Sequence, residues 1–112
     1  AVKSMHPQQE ITGVLQPHLF TRTRDLADGF GAALSQLDQS WLMDIYPARE
    51  KPIAGIDSSW LLSKVKLQNK QLVNATQILE NLVSNKPKLL LIMGAGDIDR
   101  IVPSIKNLYE TA

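Results

Sequence analysis

Residues Ile11-Thr12-Gly13-Val14-Leu15, followed by Gln16-Pro17-His18-Leu19-Phe20-Thr21-Arg22-Thr23-Arg24-Asp25, carry the chain from an apolar run into a helical pattern. The first five are apolar and rich in β-branched side chains, which suits a short buried strand. Gly13 within it suggests that something packs close to the backbone. Residues 16–25 then read as the loop into a helix spanning about Thr23 to Leu37. Leu26, Phe30, Ala33, Leu34 and Leu37 fall on one face of that helix, the spacing of a core-facing stripe. The loop breaks an electrostatic rule. A helix N-terminus carries roughly +0.5 charge, so cations there cost about 0.3–1 kcal/mol each. Yet Arg22 and Arg24 stand at that end, with His18 one turn earlier and Asp25 as the nearest offset. A bound anion, held by guanidinium and free backbone N–H groups, is the simplest compensation.

Downstream, strands and helices alternate. Trp41-Leu42-Met43-Asp44-Ile45-Tyr46 reads as a second strand, ended by Pro47. Its nearly continuous apolar character fits burial on both faces of a parallel sheet. A ten-residue loop from Pro47 to Ile56 follows, longer than most connections. Asp57 or Ser58 caps a short helix through Trp60, Leu61, Leu62 and Val65, and Gln71-Leu72-Val73 reads as a short strand. Asn74 caps a helix with Ile78, Leu79, Leu82 and Val83 on one face, stopped by Lys86-Pro87. Leu89-Leu90-Leu91-Ile92-Met93 is the clearest buried strand. It runs into Gly94-Ala95-Gly96-Asp97 and a last helix bearing Ile101, Val102, Ile105, Leu108 and Tyr109, with Pro103 expected in or near its first turn. The alternation predicts an α/β, Rossmann-like domain with a mostly parallel sheet and helices on both faces. Ligands of such sheets bind at the C-terminal ends of the strands. Residues 16–25, 46–57 and 94–97 all lie there.

At 112 residues the chain is one domain, able to bury a real core. With hydrophobic residues at 44% and charged residues at 21%, it has an ordinary globular composition. A net charge of +1 gives no field to recruit nucleic acid or a membrane surface. There is no cysteine, so no disulfide scaffold and no thiolate metal site. No apolar run approaches the ~18 residues of a membrane span, and the default expectation is a cytoplasmic protein. Ala1-Val2-Lys3-Ser4-Met5 reads as the tail of a helix stopped by His6-Pro7, followed by a turn at Pro7-Gln8-Gln9. The domain is therefore expected to be an N-terminally truncated fragment.

Each candidate group has two readings. His18, Arg22 and Arg24 form a carboxylate or phosphate clamp, or else the arginines pair with Asp25, Asp28 or Glu50. Arg24 and Asp28 have the i, i+4 spacing of a surface ion pair worth a few tenths of a kcal/mol. Arg22 lacks such a partner and is the better ligand candidate. Gly94-Ala95-Gly96 either turns backbone N–H groups toward an anion or makes a tight strand-to-helix turn. It lacks the full phosphate-loop and dinucleotide patterns. Asp44, Tyr46 and Glu50 could include a metal ligand or an acceptor for an ammonium group. His6 and His18 are too isolated for a zinc site. No self-sufficient catalytic set is present, so the chain reads as a binding half-site.

The Gln16-to-Asp25 run resembles the C-terminal domain of the Mur ligases, in the branch that joins L-alanine to UDP-N-acetylmuramate. Asp44-Ile45-Tyr46-Pro47-Ala48-Arg49-Glu50, with Pro52-Ile53 and Gly55-Ile56-Asp57-Ser58, is similar to the family's strand-and-loop segment. Gly94-Ala95-Gly96-Asp97-Ile98 is similar to its late glycine turn. The resemblance covers nearly the whole chain. It implies an ATP- and magnesium-dependent amide ligase of peptidoglycan synthesis, built from three domains. An N-terminal domain would bind the UDP-sugar and a central domain ATP, and this third domain would help hold the amino acid. The resemblance further implies that Arg22 binds the L-alanine carboxylate with His18 beside it, and that Arg24, Tyr46, Arg49, Gly94, Gly96 and Asp97 line the site. No metal ligand, and no cofactor bound to this domain alone, is expected, and the domain alone should be inactive. The chain departs from the family at Leu19, where many members carry arginine, and at Arg49, where glycine is common. The family's Asp-Asp-Tyr-x-His-His-Pro segment is absent. A related ligase for a different amino acid, or a non-catalytic anion-binding module, remain the alternative readings.

Overall fold

The computed structural model describes residues 10–84, 86–94 and 96–110. The expected helix tail and turn within residues 1–9 lie outside them. The elements alternate: β1 (Ile11–Gln16), α1 (Phe20–Ser35), β2 (Gln39–Leu42), α2 (Ser58–Leu62), β3 (Lys70–Leu72), α3 (Ala75–Ser84), β4 (Leu89–Gly94) and α4 (Ile98–Glu110). The strands form one parallel sheet in the order β3-β2-β1-β4. Val14 in β1 stands opposite Trp41 in β2 and Ile92 in β4. This is the expected Rossmann-like α/β architecture.

Strand pleating sorts the core into two layers. Ile11, Leu15 and Leu42 point to one face, where Ala27 and Leu34 of α1 and Leu61 of α2 cover them. Val14, Trp41 and Met43 point to the other, under Ile78 and Leu82 of α3 and Ile98, Ile101 and Ile105 of α4. The chain steps outward from β1 to β2 to β3, then crosses back to lay β4 on the far side of β1. That reversal opens a crevice between the C-terminal ends of β1 and β4, the usual ligand position in such sheets.

Several boundaries and faces differ from expectation. α1 begins at Phe20, not Thr23, and ends at Ser35. Its buried residues are Thr23, Ala27, Gly31 and Leu34. The stripe through Leu26, Phe30 and Ala33 lies to the side, and Leu26 is 50% exposed. The helix approaches so closely that a Cβ on Gly31 would lie 2.7 Å from the Lys64 carbonyl oxygen, so no side chain fits there, while Leu34 and Leu37 of the expected stripe are buried in the core. Gly29, by contrast, has open space around it. Gly13 is where Leu37, beyond the helix, packs onto β1.

β2 ends at Leu42, but the chain stays beside β1 through Met43 N–H to Leu15 O (2.9 Å) and Tyr46 N–H to Pro17 O (2.8 Å). β4 is not the most buried strand. It has a strand neighbour on one side among the described residues, and Leu89–Met93 are half-buried throughout. Pro103 sits inside α4 rather than in its first turn, and Val83 and Val102 face solvent. Two helix starts follow local capping rules. Asp57 accepts the Trp60 N–H at 2.7 Å. Asn74 and Gln77 exchange side-chain-to-backbone bonds of 2.8 and 2.9 Å, a reciprocal capping box.

Candidate functional site

The C-terminal edge of the sheet is organised by Gln16, the last residue of β1, which is 1% exposed. Its Oε1 accepts the Ile98 N–H at 2.8 Å, satisfying a donor at the start of α4. Its Nε2 donates to the Asp97 carboxylate at 3.3 Å and to the Asp44 carbonyl at 3.2 Å. One buried amide thus joins β1, the end of β2 and the turn after β4. It was not singled out from the sequence. The available signal was a polar residue closing an otherwise apolar strand.

The glycine turn closes tightly on this amide. Gly94 and Gly96 have φ of 102° and 113°, values that L side chains rarely adopt. A Cβ on Gly94 would lie 2.1 Å from the Gln16 carbonyl oxygen, and one on Gly96 2.4 Å from the Tyr46 ring. These glycines are therefore required by close packing. Among the described residues, no group of three or more His, Asp and Glu side chains could hold a metal ion.

Tyr46 also stacks on His18, with ring centroids 5.9 Å apart and planes 14° from parallel. Their backbones are bridged, and the Leu19 N–H donates to Tyr46 O at 2.9 Å. Leu19 takes φ of 71°, an uncommon conformation for a leucine, and turns the chain into α1. It offers no side-chain cap. The cap comes from Glu50, thirty residues away: its carboxylate accepts the Phe20 N–H, the Thr21 N–H (3.2 Å) and the Thr21 hydroxyl (2.6 Å). The Thr21 hydroxyl, foremost, holds the Glu50 carboxyl below the usual carboxylate range, with the two N–H groups and the Arg24 charge adding to it against a desolvation effect. The anion expected at this helix terminus is thus partly internal.

The two arginines divide accordingly. Arg24 donates to Asp25 at 2.9 Å, and that contact raises its already high pKa. Its i, i+4 neighbour Asp28 instead meets Lys64 at 3.1 Å. Arg22 has no ion-pair or hydrogen-bond partner among the described residues. It lines a cleft of about 210 Å³ at the β1–β4 crevice, together with His18, Gln16, Phe30, Met93 and Gly94. On the other side of Gln16, a cleft of about 460 Å³ is lined by Asp44, Asn74, Thr76, Asp97 and Arg100. The site residues expected from sequence therefore sort into two groups. His18, Arg22, Tyr46, Gly94 and Gly96 converge around the crevice, with Asp97 across Gln16. Arg24 is engaged at the surface by Asp25, and Arg49 is exposed on the loop, outside the residues that line the crevice cleft.

Fold and crevice define a Rossmann-like α/β domain with a cationic side chain at its topological switch point. No protein-family model matches the chain. Among curated proteins, it is 47% identical over 110 residues to a UDP-N-acetylmuramate–L-alanine ligase of Flavobacterium johnsoniae, covering 98% of this chain and 24% of the relative. The ligases of the same name from Parabacteroides distasonis and Porphyromonas gingivalis are 44% and 42% identical over 108 and 112 residues. These matches cover 96% and 99% of this chain, and 23% and 25% of the relatives. The chain is homologous to the C-terminal domain of these ligases and spans about a quarter of their length. No helix among the described residues is long and apolar enough to cross a membrane.

Proposed function

We propose that this chain is the amino-acid-binding C-terminal domain of a cytoplasmic ligase that joins L-alanine to UDP-N-acetylmuramate in an ATP-dependent step. Its partners are the N-terminal UDP-sugar domain and the central ATP domain of the same enzyme. Arg22 pairs with the alanine carboxylate, and His18 borders it. The observation that carries this reading is Arg22 itself, which lines the crevice and is unpaired among the described residues while neighbouring Arg24 is engaged by Asp25. A guanidinium and a carboxylate match in a two-pronged geometry. Anchored by that end, the amino acid presents its amine away from the sheet, toward the domains that bring the activated acid. In this reading ATP and Mg²⁺ are held by the rest of the enzyme. ATP supplies the phosphoryl group that activates the muramyl carboxylate. This domain contributes capture and orientation.

The test is Arg22→Ala in the full-length ligase. A charge-assisted hydrogen bond contributes about 1.5–3 kcal/mol, so the Michaelis constant for L-alanine should rise roughly 10- to 150-fold. A rise under about threefold removes Arg22 from the site. The 112-residue chain alone should release no phosphate from ATP with both acceptors present. Turnover near that of the intact enzyme would overturn the half-site reading.

A further inference from the structure

We propose that Glu50 is a positioning residue of the amino-acid site, serving as the built-in anion that seats α1 and thereby aims Arg22 at the crevice. This rests on the assignment of Arg22 as the carboxylate partner. Arg22 is the third residue of α1, so its direction follows the first turn of that helix. Locally, the Thr23 N–H and hydroxyl donate to Leu19 O at 3.1 and 2.7 Å, but the Leu19 side chain cannot accept the free N–H groups of that turn. Glu50 does so with both carboxylate oxygens, through the Phe20 and Thr21 N–H groups and the Thr21 hydroxyl. Glu50 is in turn presented by a tight turn. Its N–H donates to Pro47 O at 2.8 Å, and Ala48 adopts φ of 53°. The same loop begins at Tyr46, which carries the His18 stack and the backbone bridge to Pro17 and Leu19. Residues 46–50 and 17–22 therefore form one unit, joined at both ends.

A second consequence concerns where a substrate carboxylate binds. A helix N-terminus attracts anions. With Glu50 there, two of its N–H groups are already used, and the incoming carboxylate is directed to the guanidinium. Removing Glu50 both loosens Arg22 and opens a competing position for the same carboxylate. Misplacing a binding group by on the order of 1 Å can lower rates by ~100-fold, so an effect of about tenfold is a fair expectation for a reoriented helix turn.

The experiment compares Glu50→Ala, Glu50→Gln, Thr21→Val and Arg22→Ala in the full-length ligase, with Michaelis constants for all three substrates and kcat. Glu50→Ala should raise the constant for L-alanine about tenfold and leave those for ATP and the UDP-sugar within about twofold. Glu50→Gln, whose Oε1 still accepts both N–H groups, should recover most of that loss. Thr21→Val, which removes one of the three bonds, should move the L-alanine constant in the same direction by less, and it serves if Glu50→Ala does not fold. An unchanged L-alanine constant in Glu50→Ala, with Arg22→Ala impaired, overturns the positioning role alone. Equal changes for all three substrates overturn it too, since they mark a general loss of structure. No effect in Arg22→Ala overturns the site reading and this inference with it.

Discussion

Gln16→Leu isolates the contribution of the buried amide. Leucine has nearly the same volume, so the cavity term is small and the hydrogen bonds dominate. The Ile98 N–H loses its acceptor at 2.8 Å, in surroundings where Ile98 is fully buried. Leaving a buried donor unmade costs about 1–3 kcal/mol. Asp97 and the Asp44 carbonyl each lose a donor, but both residues are exposed and water replaces it. The expected loss is therefore about 2 kcal/mol, almost all from the single N–H. At about 4 °C per kcal/mol for a domain of this size, the melting temperature should fall by roughly 8 °C. Urea unfolding of the 112-residue chain, followed by circular dichroism, measures the free energy directly. Native-state amide exchange measures it locally, and the Ile98 N–H should exchange about 30-fold faster, the equivalent of 2 kcal/mol. A global loss under about 0.5 kcal/mol, with Ile98 still protected, would show that the α4 N-terminus is satisfied by something other than Gln16, and the account of the sheet edge would fall.

Other consequences follow from single positions. Gly29→Ala adds a methyl in open space within α1 and should stabilise the fold by about 0.5–1 kcal/mol. Gly31→Ala, two residues away, drives its methyl against the Lys64 backbone and should destabilise by about 1–3 kcal/mol. Paired urea titrations should show opposite signs, and equal signs would contradict the packing of α1. Glu50 makes stability depend on pH. Its carboxyl is lowered in the folded chain by the Thr21 hydroxyl first, so its contribution is complete above the ordinary glutamate value of about 4.3. That contribution disappears as the pH falls through the lower folded value. Glu50→Gln should therefore flatten the acid side of the stability profile and leave its slope near pH 7 unchanged. An acid limb identical to that of the parent would contradict the Glu50 contacts.

The features legible in the sequence are those with local causes. Ile11–Leu15 and Leu89–Met93 read as strands because a run buried from two faces need not alternate. Asp57 and the Asn74–Gln77 pair mark helix starts because each cap lies within three residues of its target. What was misread depended on distant partners. Hydrophobicity favoured Leu26 and Phe30 as the inner face of α1. Thr23, Ala27 and Gly31 lie on the buried face instead, and at Gly31 close approach to Lys64 leaves no room for a side chain, so size there is decided by the neighbour, not by the helix. Leu89–Met93 read as fully buried because periodicity carries no information on strand order, and the crossover placed β4 beside β1 alone among the described residues. Gln16 escaped notice because its partners are 28 to 82 residues away.

The cation pair at the head of α1 shows both kinds of information at once. Two arginines on a helix N-terminus demand a compensating anion, and that demand is visible locally. The structure divides the answer. Glu50 satisfies the backbone N–H groups, and Asp25 engages Arg24. Neither reaches the Arg22 guanidinium, which borders the crevice where sheets of this topology bind ligands. An internal carboxylate that compensates the helix but leaves one guanidinium unpaired among the described residues accounts for the local anomaly and still supports an external carboxylate at Arg22.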